Sequence, residues 1–99
     1  MSKPVYSLVL FQGFTEAYYK LSKEEQQNLF AKDEEISKPT GRKVILACNT
    51  RWADESTFGW LVIEYPDLEA YQKSVDEGEK LEWWRYVNAK SILGTKMEE

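Results

Sequence analysis

Two polar residues, Gln26 and Asp33, lie one heptad apart in a segment whose apolar residues recur with the period of a helix. At about 100° per residue, Leu29, Phe30 and Ile36 form an apolar stripe, and both polar side chains project near its middle. A charge buried without a partner is costly. We therefore predict that Asp33 is a general base or ligand acceptor in a polar pocket, with Gln26 as a hydrogen-bond donor. In the alternative, the helix is rotated or frayed, and Asp33 lies at the stripe edge and meets water or a lysine.

A second polar pair, Asn49 and Arg51, lies near the end of a Val- and Ile-rich segment that is typical of a strand. An amide and a guanidinium on one face, with tryptophans nearby, could hold a planar, oxygen-bearing ligand through charge-assisted hydrogen bonds and stacking. In the alternative, the strand end emerges into solvent and Arg51 pairs with Asp54 or Glu55. Side-chain alternation assigns the segment to two faces: Asn49 and Arg51 with Ile45 and Ala47, and Trp52 with Val44, Leu46 and Cys48.

The segment LEWWRYV, residues 81 to 87, places two tryptophans side by side. In a helix, Trp84 lies on one side and Trp83 and Tyr86 lie on another, whereas in an extended chain the two tryptophans face opposite ways. The pair therefore cannot serve a single surface. We predict that one tryptophan packs in the core and the other on a different wall, either a partner subunit or the rim of a pocket. The alternative is a ligand-binding aromatic wall made of Trp83, Trp84 and Tyr86.

The absence of histidine from the chain restricts its chemistry. It excludes Ser-His-Asp and Cys-His catalysis, His-ligated haem, and most zinc and iron sites. Asp54 and Glu55 lack the spacing of a calcium loop and are interpreted as solvated loop charges. Cys48, the single cysteine, is interpreted as a small buried hydrophobe. We predict no metal and no cofactor.

The charge balance and the cysteine count bear on partners and location. A net charge of -4 argues against a nucleic-acid partner, because nucleic-acid binding depends on clustered Lys and Arg. A single cysteine permits no disulfide within the chain. The sequence has neither the leader of a signal peptide nor a run of about 18 apolar residues. We therefore predict a cytoplasmic protein with no membrane or nucleic-acid partner.

Four segments have the composition of strands. Val-, Leu- and aromatic-rich runs predict strands at residues 4–12, 42–52 and 58–65, with a weaker strand at 91–97. The polar insert at residues 53–57 is typical of a turn. The second and third strands are therefore predicted to form an antiparallel hairpin.

Two helices are predicted between these strands. Ser22 and Glu25 fit a capping box, which predicts a helix from about Lys23 to Ser37. After Pro66 and Asp67, apolar spacing predicts a second helix that ends near Gly78 as its left-handed residue. A short helix is predicted to follow at residues 81 to 86.

This order of elements predicts one domain over residues 1–99, with the α+β, ferredoxin-like βαββαβ fold and an antiparallel four-stranded sheet. Helices can cover only one face of such a sheet. The first three strands are apolar on both faces, so something else must cover the other face. The simplest candidate is the sheet of a second copy, which predicts a homodimer through the sheet face.

The chain resembles the dimeric α+β barrel superfamily, and more narrowly its small uncharacterised or darcynin-like members. The resemblance is carried by YSLVLFQ, LSKEEQQNLF, WLVIEYPDLEAYQ and WWRYVNA, and it spans nearly the whole chain. It implies a sheet-to-sheet dimer that encloses a barrel, with a pocket between each sheet and its helices. Relatives include cofactor-free monooxygenases, lactone isomerases and haem degraders, the last of which depend on a histidine that this chain lacks.

Two functions follow from these patterns. The first is a homodimer that binds a small hydrophobic or aromatic molecule, with cofactor-independent oxygenase or isomerase chemistry implied by the resemblance alone. Turnover needs an activated group, and Asp33 is the predicted catalytic residue. The second is a non-catalytic homodimeric interaction or structural protein, whose aromatic residues build the dimer.

Overall fold

The computed structural model describes residues 3–98 of the chain. Within this range the chain forms four strands, four α-helices and a short 3-10 helix. In chain order they are β1 (Val5–Phe14), α1 (Glu16–Tyr19), α2 (Lys23–Ser37), the 3-10 helix (Lys38–Thr40), β2 (Lys43–Asn49), β3 (Gly59–Tyr65), α3 (Leu68–Lys80), α4 (Trp83–Tyr86) and β4 (Val87–Gly94).

The four strands form one antiparallel sheet in the order β2-β3-β1-β4. β1 and β3 are the central pair, and β2 and β4 are the edges. α2 connects β1 to β2, and α3 connects β3 to β4, so the chain has the ferredoxin-like βαββαβ arrangement. The predicted fold class is confirmed.

Capping side chains determine where the two long helices begin. The Ser22 hydroxyl accepts from the Glu25 amide at 3.1 Å, and the Glu25 carboxylate accepts from the Ser22 amide at 3.0 Å, which completes the predicted capping box. The Asp67 carboxylate accepts from the Ala70 amide at 2.7 Å at the start of α3. Each bond satisfies an amide that the first helical turn leaves without a partner.

The end of α3 differs from the prediction. Gly78 lies inside α3, which continues to Lys80, and its φ is not positive. The left-handed residue is Glu82, with φ of 55°, between α3 and α4. α4 is a single turn, and the guanidinium of its Arg85 lies 3.5 Å from the carboxylate of Glu82, the residue before the helix. A glycine is tolerated within a helix where packing favours the helical conformation on both sides of it. The prediction that the helix ends near Gly78 was therefore wrong.

A bulge in β2 overturns part of the face assignment made from alternation. Val44 pairs with Ile63 and Leu46 pairs with Val62, so Ile45 is an extra residue. Val44 therefore lies on the opposite face from Leu46, and the prediction that it shares a face with Leu46 and Cys48 was wrong. β2 also ends at Asn49, which places Arg51 and Trp52 in the following turn.

One face of the sheet packs against helices and is called the covered face. Its core consists of Val5 on β1 with Ile63 and Tyr65 on β3, all less than 8% exposed. Ala70 and Tyr71 of α3 pack against them. The shortest extent of the chain is 16 Å, which is room for the sheet and a single layer of helices.

The opposite face carries no helix and is called the open face. Cross-strand pairing aligns one row of it across all four strands, and this aliphatic row consists of Leu46, Val62, Leu8 and Ile92. The adjacent row consists of Cys48, Trp60, Leu10 and Lys90. Leu46 and Ile92 are 51% and 49% exposed. The described residues thus include a broad apolar surface that the chain itself does not cover.

None of the helices within residues 3–98 combines the length and the apolar composition needed to cross a bilayer. The predicted cytoplasmic location stays a prediction.

Candidate functional site

A bulge near the end of β1 gathers aromatic side chains on the covered face. Phe11 pairs with Ala89, Gly13 with Asn88 and Phe14 with Val87, so Gln12 is an extra residue in β1. Gly13 supplies the irregular backbone with φ of 133°, which favours glycine. Without the bulge, Phe11 and Phe14 would point to opposite faces, because their spacing is odd.

Five further rings continue from these two into one group, which we call the aromatic cluster. Phe11 lies 5.0 Å from Phe14 and 5.7 Å from Phe58, measured between ring centroids. Phe14 stacks on Tyr18 at 3.9 Å with nearly parallel planes. Most other pairs are edge to face, an arrangement that the ring quadrupole favours. The members of the cluster are Phe11, Phe14, Tyr18, Tyr19, Phe30, Phe58 and Trp83, with Arg51 lying over Phe58.

The cluster is buried on one side and open on the other. Tyr18 is 7% exposed and anchors the inner side, whereas Phe30 and Tyr19 are 42% and 60% exposed. Trp83 is partly buried, with its ring 5.7 Å from that of Phe30. Ring faces and edges that contact neighbouring rings and stay partly exposed can stack on a planar apolar molecule.

Arg51 and Asn49 are placed by the turn that follows β2. Asn49 accepts a hydrogen bond at Oδ1 from the Arg51 amide at 3.0 Å, and its carbonyl accepts from Nε1 of Trp52 at 2.9 Å. The Arg51 guanidinium carbon lies 4.1 Å from the centroid of the Phe58 ring. Asn49 therefore shapes the turn, whereas Arg51 presents its cation beside the cluster.

Gln26 lies in the first turns of α2 and contacts backbone. Its Nε2 donates to the carbonyl oxygens of Tyr18 at 3.2 Å and of Leu21 at 3.4 Å. These bonds tie α2 to the segment around α1 and hold Tyr18 in place. The role of Gln26 as a donor to a ligand stays a prediction, although its amide already has two backbone partners.

Asp33 lies in the middle of α2 and is paired with Arg42, just before β2. Oδ2 of Asp33 lies 3.3 Å from Nη2 of Arg42, and the two side chains are 25% and 21% exposed. The contact is a charge-assisted hydrogen bond between the residue just before β2 and the middle of α2. The partner is an arginine rather than the lysine or water of the alternative interpretation. The role of Asp33 as a general base stays a prediction.

The two adjacent tryptophans are separated as their positions in a helix require. Trp83 faces the aromatic cluster, and Trp84 is 68% exposed. Tyr86 is partly buried, and its carbonyl accepts from the amide of Thr15 at 3.0 Å, while the Thr15 hydroxyl donates to the carbonyl of Arg85. These bonds dock α4 against the end of β1, which brings Trp83 beside Phe30.

Two of the predicted site residues are therefore joined by the cluster: Trp83 at one end and Arg51 at the other. Asp33, Gln26 and Trp84 make none of the ring contacts of the cluster in the described chain. Sequence reasoning missed the rings that connect the two ends, which are Phe11, Phe14, Phe30 and Phe58. A usable signal was present, since four aromatic residues fall between positions 11 and 19 around a glycine.

Within residues 3–98, no group of three or more acidic or cysteine side chains is arranged to hold a metal ion. The predictions of no metal and no cofactor stay predictions.

Comparison with known proteins supports the fold. No family model matches the sequence, and no curated protein matches it at a significant level. Among solved structures, the chain is similar to RPA0582 from Rhodopseudomonas palustris, a structural genomics target described as a protein of unknown function. The alignment covers 100% of this chain and 86% of that chain, with a TM-score of 0.62 and 15% sequence identity. The likeness is one of fold alone.

Proposed function

We propose that this chain forms a homodimer through the open face and that each subunit binds a small hydrophobic or aromatic molecule at the aromatic cluster. The observation that carries the dimer is the aliphatic row, in which Leu46 and Ile92 are about half exposed. Exposing an apolar surface to water costs free energy, and burying it gains roughly 25 cal/mol per Å². A second copy offers the same surface, so one contact buries both rows.

The area of the open face suits such a contact. Four strands about 4.8 Å apart and about seven residues long project roughly 400 Å². The accessible area of a surface built of side chains exceeds its projection. The accessible area that the open face could bury is therefore comparable with the roughly 800 Å² per partner that stable interfaces bury.

Polar residues at the ends of the open face fit an interface rim. Cross-strand pairing places Lys43, Glu64 and Tyr6 in one row beside the aliphatic row, and Lys90 lies in the row on its other side. A hydrogen bond to Glu64 raises the pKa of Tyr6, and burial and the Glu64 charge act in the same direction. An apolar centre with charged residues toward the rim is the usual anatomy of a protein interface.

The aromatic cluster supports ligand binding. Phe11 points to the covered face, so the cluster lies on the other side of the sheet from the proposed dimer contact. Phe30 and Tyr19 keep 42% and 60% of their surface exposed. Dimerisation and ligand binding are therefore separate events that separate substitutions can disturb.

Binding without turnover is the activity that this geometry supports best. The resemblance to dimeric α+β barrels implies oxygenase or isomerase chemistry, which needs an activated base or nucleophile. Asp33 is held by Arg42 at 3.3 Å. One oxygen of this carboxylate is therefore already engaged by a side chain of the protein itself.

Native mass spectrometry of gently purified protein tests the dimer and any retained molecule together. We expect a species of twice the 11.6 kDa chain mass, with an added small mass where a ligand is retained. A spectrum that contains only monomer at tens of micromolar protein contradicts the dimer.

Titration with 2-naphthylmethanol, followed by amide NMR shifts, tests the ligand site. We expect saturable shifts near the cluster in the natural protein and their loss in Trp83→Leu, which removes the ring beside Phe30. Trp84→Leu is the matched control, because Trp84 is the adjacent tryptophan and is 68% exposed. Equal binding by both variants contradicts the proposed site.

A second candidate function is a non-catalytic interaction or structural homodimer. It is favoured by Phe14 and Tyr18, which stack at 3.9 Å as in an ordinary core, and by the backbone bonds of Gln26. In this case the protein is a dimer but the cluster binds no naphthyl probe. The titration with 2-naphthylmethanol therefore separates the candidates.

A further inference from the structure

We infer that Arg51 makes the aromatic cluster selective for planar aromatic molecules that carry an anionic group, such as an aromatic carboxylate. This inference rests on the proposed ligand site and names the class of molecule that the site takes.

The first support is the position of the Arg51 guanidinium. Its central carbon lies 4.1 Å from the centroid of Phe58, and Phe58 lies 5.7 Å from Phe11 within the cluster. A guanidinium over a ring is held by cation–π attraction while the N–H donors in its plane remain directed outward. The cation is therefore oriented without its hydrogen-bonding capacity being used.

The second support is that acidic side chains near Arg51 do not neutralise it. Within residues 3–98, none of the ion pairs or side-chain hydrogen bonds involves the Arg51 guanidinium. Asp54 instead accepts from the Ser56 hydroxyl at 2.7 Å, the Ser56 amide at 2.9 Å and the Thr57 hydroxyl at 3.3 Å. These donors, led by the Ser56 hydroxyl, hold the pKa of Asp54 below its ordinary value of 3.8.

The third support is the distance between the cation and the open rings. Phe11 connects Phe58 to Phe14, at 5.7 and 5.0 Å, and Phe14 lies 5.9 Å from the partly exposed Phe30. A bicyclic acid that stacks on the middle of this series brings its carboxylate to the end where Arg51 lies. Bidentate hydrogen bonding to a guanidinium then adds to the apolar contact.

The expected size of the preference is moderate. Arg51 is exposed, so salt and solvent weaken its attraction for an anion. We expect an aromatic acid to bind about tenfold more tightly than its uncharged analogue at low salt, a factor typical of one charge-assisted contact. The preference should shrink as ionic strength rises.

The test compares 2-naphthoate with 2-naphthylmethanol, which share the ring and differ in charge. Dissociation constants for both are measured by amide NMR shifts on the natural protein, Arg51→Gln and Arg51→Lys. We expect the natural protein to prefer the acid about tenfold, Arg51→Lys to keep part of the preference, and Arg51→Gln to bind both probes equally. The NMR spectra also verify that each variant is folded.

Three results overturn the inference, and they can be told apart. Equal affinity of the natural protein for both probes leaves the aromatic site intact but removes the anion preference. A preference that survives in Arg51→Gln assigns the anion to another group. Failure of both probes to bind overturns the ligand site itself, together with this inference.

Discussion

The rings of Phe11 and Phe14 lie 5.0 Å apart on one face of the sheet, although their spacing in a regular strand would put them on opposite faces. The bulge at Gly13 produces this relationship. It joins the end of β1 to the rings carried by α1, α2 and α4, and so assembles the aromatic cluster. We therefore expect the conformation of this glycine to control whether the aromatic cluster forms.

Gly13→Ala should destabilise the protein by about 1–3 kcal/mol. A side chain is strained at φ of 133°, and its Cβ would lie 3.2 Å from Cε1 of Phe58. Urea unfolding followed by fluorescence measures the loss, and the 2-naphthylmethanol titration should weaken in parallel.

Gly78→Ala is the control for this substitution. Gly78 lies within α3, and a Cβ there would meet no atom within 4 Å. We expect a gain of about 0.5–1 kcal/mol, because alanine favours a helix over glycine. If Gly13→Ala is as harmless as Gly78→Ala, the bulge does not control the cluster.

The helices and the order of elements could be predicted because their signals are local. Ser22 and Glu25 form the capping box that the S-x-x-E spacing indicates, and α2 spans the predicted Lys23–Ser37. The bulges could not be predicted in this way. Ile45 is an extra residue in β2, so Val44 and Leu46 lie on opposite faces although they are two positions apart. The extra residue is defined by the pairing of β2 with β3, and the sequence of β2 alone does not show that pairing.

The candidate site was only partly predictable for a related reason. Trp83 and Arg51 were singled out by residue type, and both contact the cluster. The contact between Phe30 and Trp83 joins residues distant in sequence, so helix periodicity placed Phe30 on a stripe but could not identify its partner. Arg42, the partner of Asp33, was missed because it begins the predicted second strand, and helix periodicity does not show which strand residue a helix side chain contacts.

Asp33→Asn should lower the free energy of unfolding by about 1–2 kcal/mol, since it leaves the partly buried Arg42 without its ion pair. Urea denaturation measures this loss. If Asp33 has a structural role alone, the variant still binds 2-naphthylmethanol as the natural protein does.

A double-mutant cycle with Arg42→Gln provides the control. The combined loss should be smaller than the sum of the single losses if the two side chains stabilise each other. Additive losses would show that the contact between the two side chains does not contribute to stability. Loss of probe binding by Asp33→Asn with unchanged stability would instead support a role for Asp33 in ligand binding.

Glu25→Gln should change how stability depends on acid pH. The Ser22 amide, which donates to Glu25 at 3.0 Å, and the Ser22 hydroxyl hold the pKa of this carboxyl below its ordinary value of 4.5. The contribution of Glu25 is complete above that value and is lost as pH falls through the lowered pKa of the folded state.

The difference in unfolding free energy between the natural protein and Glu25→Gln should therefore be largest at neutral pH and narrow below about pH 4.5. Glu24→Gln removes a charge from the same helical turn but leaves the capping box intact. Its change in unfolding free energy is subtracted from that of Glu25→Gln, which leaves the contribution of the capping contact. A difference that stays constant from pH 7 to pH 3 contradicts the role of the capping carboxylate.

Sedimentation velocity of Ile92→Lys and Leu93→Lys tests the proposed dimer most directly. The two residues are adjacent on β4, are 49% and 40% exposed, and point to the open and covered faces respectively. We predict that the natural protein and Leu93→Lys sediment as dimers, whereas Ile92→Lys sediments as a monomer, because its lysine enters the aliphatic row. A natural protein that is monomeric, or an Ile92→Lys variant as dimeric as Leu93→Lys, contradicts assembly through the open face.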